Sequence, residues 1–69
     1  MELSARNQLA AKVSAVHVGE VMATVSATLP GGQQTTAAIT RDAVEALGLA
    51  AGDDVVLVIK ATEIIVGKP

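Results

Sequence analysis

Cysteine is absent from this chain, and so are phenylalanine, tyrosine and tryptophan. Without cysteine no disulfide can form, and with His17 as the single histidine a structural zinc site lacks its usual ligands. Without aromatic rings there is no platform for stacking single-stranded bases. Basic residues are scarce as well. Five Lys and Arg are dispersed among seven Asp and Glu, for a formal net charge of −2, which opposes generic binding to a phosphate backbone. Long hydrophobic runs are also missing: the longest, Val55 to Ile59, is far too short to cross a bilayer. Met1 to Arg6 shows no basic stretch leading into the apolar core of a signal peptide. The expectation is a soluble cytoplasmic protein that binds neither nucleic acid nor membrane.

What is present is aliphatic and small. Hydrophobic residues make up 51% of the 69 positions, with 20 Val, Ile and Leu and 13 Ala. That length gives one domain, residues 1–69, with a core that is marginal on its own. Small domains gain stability from disulfides, metals or self-association. Composition removes the first two, so an obligate homo-oligomer is expected.

Leu9, Ala11, Val13 and Ala15 alternate with polar or smaller residues, which is strand periodicity, and the apolar parity flips at Val16 and Val18. A bulge near Ala15-Val16 accounts for the flip. Gly19-Glu20 makes a tight turn, and Val21 to Leu29 alternate cleanly as a second strand. Pro30-Gly31-Gly32 is a turn, followed by a third strand marked by Thr35, Ala37 and Ile39. Thr40 is placed to cap a short helix with Asp42 in its first turn, and Gly48 to end it. After the Ala51-Gly52-Asp53 turn, Asp54 to Lys60 reads as a strand apolar on both faces and therefore buried on both. Ile64 to Val66 reads as a short final strand, with Gly67 to Pro69 as a tail. The order β-β-β-α-β-β gives an all-β fold with one short helix, a five-stranded OB-type barrel.

No catalytic constellation is evident. His17 lies in a strand with no nucleophile assigned to it, and Asp53-Asp54 lacks the spaced oxygen ligands of a metal loop. The turn Pro30-Gly31-Gly32 lacks the Lys-Ser/Thr sequel of a phosphate loop. The chain is read as a non-enzyme.

Two polar clusters at opposite ends of the sequence carry more information. Ser4-Ala5-Arg6-Asn7-Gln8 precedes the first strand, and Lys60-Ala61-Thr62-Glu63 follows the last strong one. Each offers a cation, a hydroxyl donor and a small residue that leaves backbone N–H groups accessible. A tetrahedral oxyanion accepts hydrogen bonds and donates none, so such a set suits it. Thr40 to Ala43, at a helix start, forms a third donor cluster. The three come from distant points in the chain and are placed to meet across a subunit boundary. Asn7, beside a strand start, is expected to have a structural role.

Three stretches resemble the molbindins, small cytoplasmic molybdate-binding proteins first described as molybdenum-pterin-binding proteins. They are Ser4 to Leu9, Ala38 to Leu49 and Ile59 to Glu63. The resemblance covers nearly the whole chain. It implies an OB-type subunit assembled as a homohexamer, a trimer of dimers, with molybdate or tungstate held between subunits. Carried over, Ser4, Ala5, Arg6, Lys60, Ala61 and Thr62 form one wall of the main site, and Thr40 and Ala43 of a neighbour form the other. The family often has serine where this chain has Ala43, which removes a side-chain donor. A second class of sites near the three-fold axis would be lined by Val18, Gly19 and Glu20. A copy without DNA-binding or ATPase segments resembles the storage or buffering form.

A second reading belongs to another class. Ile39-Thr40 through Leu47-Gly48-Leu49, with Gly52-Asp53-Asp54-Val55, also resembles small dimeric swapped-hairpin DNA-binding regulators. It leaves both terminal clusters unexplained, and the acidic balance opposes it.

Overall fold

From Met22 to Thr28 every second residue is small and apolar, and in the structure Ala23, Val25 and Ala27 are the buried face of a strand. The structure is a computed structural model that describes residues 1–69. The elements are β1 (Asn7–Val18), β2 (Met22–Thr28), β3 (Gln34–Thr40), α1 (Arg41–Leu47) and β4 (Asp54–Ile59), followed by a 3-10 turn over Ala61–Glu63. The four strands form one antiparallel sheet in the order β3-β2-β1-β4.

The long β1 serves two partners. Its first half pairs with β4, from Asn7↔Ile59 to Lys12↔Asp54, and its second half pairs with β2, from Lys12↔Thr28 to Val18↔Ala23. The register slips between Val13 and Ala15, so Ser14 is the bulged residue, one position before the expected place, and its hydroxyl donates to the Ser26 carbonyl at 3.1 Å. The bulge lets Ala11 and Val13 face inward and then hands that face to Val16. It also bends the strand, and the sheet curls into a half-barrel.

The helix follows its sequence signals. Thr40 caps it by accepting the Ala43 N–H at 3.1 Å, and Val44 is its buried residue. Gly48 ends it at φ +62°, a left-handed conformation that glycine adopts without steric cost. Val44 then packs with Val13, Ala23 and Val25, flanked by Val16, Ile39, Leu49 and Val55. That cluster is the core, and it is small: six of 69 residues are buried. A core of this size is thin support for a lone chain.

Two expectations need correction. There are four strands, not five. Ile64 to Val66 leave the 3-10 turn with extended backbone (Ile64 φ −89°, ψ 124°) but pair with no strand of their own chain, and Ile65 and Val66 are 94% and 89% exposed. A strand needs a partner for its backbone groups, and this segment pairs with neither sheet edge of its own chain. Likewise β4 is not buried on both faces. Val55, Leu57 and Ile59 are half-buried against the inside of the curl, whereas Val56 and Val58, on the alternate face, are 47% and 42% exposed. The curl brings the free edges of β3 and β4 towards each other without joining them. Between them lies an apolar trough of about 320 Å³ lined chiefly by Thr35, Ala37 and Ile39 on one side and Val55, Leu57 and Ile59 on the other. No helix is long and apolar enough to cross a membrane.

Candidate functional site

The pairing of β1 with β4 decides the geometry. The ladder ends at Asn7↔Ile59, so Ser4-Ala5-Arg6 lies just before one strand and Lys60-Ala61-Thr62 just after its neighbour. Two clusters from opposite ends of the sequence are thereby brought to one corner of the sheet. The Asn7 side-chain amide donates to the Ile59 carbonyl at 3.2 Å and ties the two segments together, which is the structural role expected of it. Gln8 adds a second tie that sequence reasoning missed: its Nε2 donates to the Ala5 carbonyl at 2.8 Å and folds the N-terminal segment back. The available signal was an amide side chain three residues beyond an open carbonyl.

After β4 the chain makes a 3-10 turn. Glu63 N–H donates to the Lys60 carbonyl at 2.9 Å and Ile64 N–H to the Ala61 carbonyl at 3.4 Å. These bonds consume carbonyl acceptors, while the N–H groups of Ala61 and Thr62, like those of Ala5 and Arg6, take part in no turn or cap hydrogen bond. The corner therefore presents donors. Its charges are also uncommitted. The two ion pairs of the chain are Lys12–Asp54 at 3.3 Å and Arg41–Glu45 at 3.0 Å, so neither Arg6 nor Lys60 has a carboxylate partner. Ser4, Arg6, Lys60, Ala61 and Thr62 are exposed and Ala5 is half-buried.

The third cluster lies elsewhere. Thr40 pairs with Met22, and the adjacent Ala23 pairs with Val18, at the far end of β1 from Asn7. At about 3.3 Å per residue, the helix start and the Arg6–Lys60 corner stand on the order of 30 Å apart along that strand. One chain thus supplies both halves of the expected donor set but cannot bring them together.

The helix start also differs in detail from expectation. The Ala43 N–H, expected to face an anion, is taken by the Thr40 hydroxyl oxygen, and the Arg41 N–H is taken by the Val21 carbonyl at 2.8 Å. The Thr40 hydroxyl, accepting from Ala43, keeps its own proton to donate. The donors left at this end are that hydroxyl and the Asp42 N–H, which belongs to the expected Thr40 to Ala43 cluster although Asp42 was not among the residues carried over to the site. Val18, Gly19 and Glu20 form the exposed β1–β2 turn, closed by the Gly19 N–H to Met22 carbonyl bond at 2.8 Å. His17 is exposed, and no three His, Asp or Glu side chains cluster as metal ligands.

Comparison with known proteins places the chain in a family. The model of the TOBE domain family matches residues 3–66. Molybdenum-pterin-binding protein 3 of Clostridium pasteurianum is 42% identical over 66 residues, covering 96% of this chain and 97% of that protein. The molybdenum transport protein ModE of Herbaspirillum seropedicae is 48% identical over 64 residues, but there the chain spans only 24% of the relative's length. Among solved structures, a molybdate-binding protein from Sporomusa ovata superposes with a TM-score of 0.93 at 43% identity, covering 99% of this chain and all of that one. The cytoplasmic molybdate-binding protein ModG, in a form with molybdate bound, gives 0.94 at 42% identity, covering all of this chain and 49% of that one. With near-complete coverage of both a family model and a full-length relative, the chain belongs to the TOBE domain family and within it to the molbindin type.

Proposed function

We propose that this protein reversibly binds molybdate, or the nearly isosteric tungstate, in sites between subunits of a homohexamer built as a trimer of dimers, and so stores or buffers the oxyanion in the cytoplasm. The observation that carries the reading is the donor-rich corner at Asn7↔Ile59, where Arg6 and Lys60 stand side by side without carboxylate partners. A solved relative that matches the whole chain is named for binding molybdate, and a full-length curated relative for binding molybdenum-pterin.

In this reading Arg6 and Lys60 supply two positive charges to a dianion, which limits the cost of taking it out of water. Ser4 and Thr62 contribute hydroxyl donors, and the backbone of Ala5 and Ala61 contributes N–H groups that no side chain obstructs. Thr40 of a neighbouring subunit closes the site with its hydroxyl, next to the helix turn that holds Ala43. The ion meets donors on every side and no acceptor, and these charge-assisted bonds are the strong kind. Selection against sulfate rests on pocket size, because the two dianions share charge and shape. Discrimination between molybdate and tungstate is poor because the two are also nearly equal in size. The turn Val18-Gly19-Glu20 is the candidate lining of a second class of sites. Binding is the whole activity, with no bond made or broken.

Native mass spectrometry with and without molybdate, with sulfate as the control, tests this directly. A hexamer that gains several molybdate masses and ignores sulfate is the expected result. A dimer indifferent to both anions, together with a salt-dependent gel shift of duplex DNA, would overturn the reading in favour of the regulator.

A further inference from the structure

The Arg6–Lys60 corner turns its donors outward by one repeated device. A trans peptide points its C=O and the following N–H in opposite directions, and every peptide of this chain is trans. Whatever holds a carbonyl therefore also aims the N–H of the next residue the other way. After β4 the backbone does this for itself. The Lys60 carbonyl accepts the Glu63 N–H at 2.9 Å, which aims the Ala61 N–H. The Ala61 carbonyl accepts the Ile64 N–H at 3.4 Å, which aims the Thr62 N–H.

Before β1 the same device depends on a side chain. Ala5 lies outside the β1–β4 ladder, which ends at Asn7↔Ile59, and its carbonyl accepts no main-chain turn or cap bond. It is held instead by Gln8 Nε2 at 2.8 Å. That bond aims the Arg6 N–H away from Gln8. It also occupies the Ala5 carbonyl oxygen, an acceptor that repels an anion when turned towards it. Asn7 differs, because its amide donates to Ile59, a residue the ladder already fixes. Gln8 thus supplies the one tie at this corner that no backbone bond duplicates. Its side chain is exposed, and an exposed hydrogen bond adds little to stability because water competes for both groups. What this bond does is fix a direction.

We infer that Gln8 is a positioning residue of the oxyanion site: by holding the Ala5 carbonyl it presents the main-chain N–H of Arg6 to the bound anion. The inference rests on the binding function proposed above and deepens it, adding a backbone donor at Arg6 and the side chain that orients it. Arg6 then meets the anion twice, through its guanidinium and through its N–H. A donor fixed before binding loses less freedom on binding than one that the ligand has to order.

Two full-length variants test this. Gln8→Met keeps the length of the side chain and removes the donor, and Gln8→Glu keeps its shape and replaces the donor with a charged acceptor. Each is titrated with molybdate by calorimetry. Each is also followed in amide proton–nitrogen correlation spectra, with and without saturating molybdate, beside the wild type. In the wild type the amide signals of Arg6, Ala61 and Thr62 are expected to shift together when the anion binds. In Gln8→Met the dissociation constant is expected to rise about tenfold, the order of one weakened bond to a charged group, with melting temperature and assembly unchanged. The Arg6 shift is expected to shrink selectively, while those of Ala61 and Thr62 persist because their turn is intact. Gln8→Glu is expected to bind more weakly still, since its carboxylate repels the dianion. Wild-type affinity in Gln8→Met, or an undiminished Arg6 shift, would overturn the proposal. Loss of all three shifts with a lowered melting temperature would mark a merely structural role and overturn it too. A wild-type chain that binds no molybdate is a separate failure, which would remove the site itself and with it the role of Gln8.

Discussion

The weight of the proposed site falls on a few side chains, and Arg6 is the first among them. It stands at the end of the β1–β4 ladder with no carboxylate partner, beside an equally unpaired Lys60. Removing one member of a desolvated charge pair costs about 3–5 kcal/mol. Arg6→Ala is therefore expected to abolish measurable binding at the main site, while the oligomer still forms. Titration calorimetry on the variant checks this, and an unchanged affinity would remove Arg6 from the site. Thr40 has two separable duties: it caps α1 through Ala43, and it offers its hydroxyl proton to the anion. Aspartate caps a helix about as well as threonine but brings a negative charge. Thr40→Asp should hold thermal stability near that of the wild type and lose oxyanion binding. Thr40→Ala should cost about 1 kcal/mol of stability, as typical N-cap losses do. Equal melting temperatures for the two variants would show that the cap contributes nothing.

Elements whose stabilising contacts are local were legible in the sequence. The alternation of Ala23, Val25 and Ala27 marked β2, the parity flip around Ala15 marked the bulge, and Thr40 and Gly48 marked both ends of the helix. Each of those signals acts within a few residues. The site was legible as residue types but not as a place. Nothing in the sequence states that Asn7 pairs with Ile59, 52 positions away, and only that register sets Arg6 beside Lys60. The fifth strand was misread because strand formation at Ile64–Val66 depends on a partner its own chain does not present. The same dependence explains why β4 exposes Val56 and Val58. At this scale Gly48 gives a clean test. A Cβ placed there meets nothing within 4 Å, so a substitution is opposed by its φ of +62° alone. Gly48→Ala should destabilise the fold by about 1–2 kcal/mol, the usual cost of a left-handed residue with a side chain. Differential scanning calorimetry reads that loss, and an unaltered affinity for molybdate should accompany it.

For the whole molecule, a single chain leaves much of its aliphatic surface uncovered. Six buried residues, a half-closed barrel, an apolar tail and an outward-facing β4 leave more aliphatic surface open than so small a core can offset. In the proposed assembly that surface is covered and the two distant donor sets meet, so folding, association and anion binding become one linked equilibrium. Linkage then fixes two directions. Because association stabilises the folded chain, the melting temperature should rise with protein concentration, which a monomer would not show. Because the anion binds only the folded, assembled form, molybdate should raise it further. At a free concentration about 100 times the dissociation constant, the gain is ~2.7 kcal/mol per site. Sulfate at the same ionic strength should give little, since screening is matched and only fit to the pocket differs. Scanning calorimetry across a dilution series, with each anion in turn, checks both directions. A melting temperature that follows concentration but ignores molybdate would keep the oligomer and discard the storage role; the reverse would place a complete anion site within one chain.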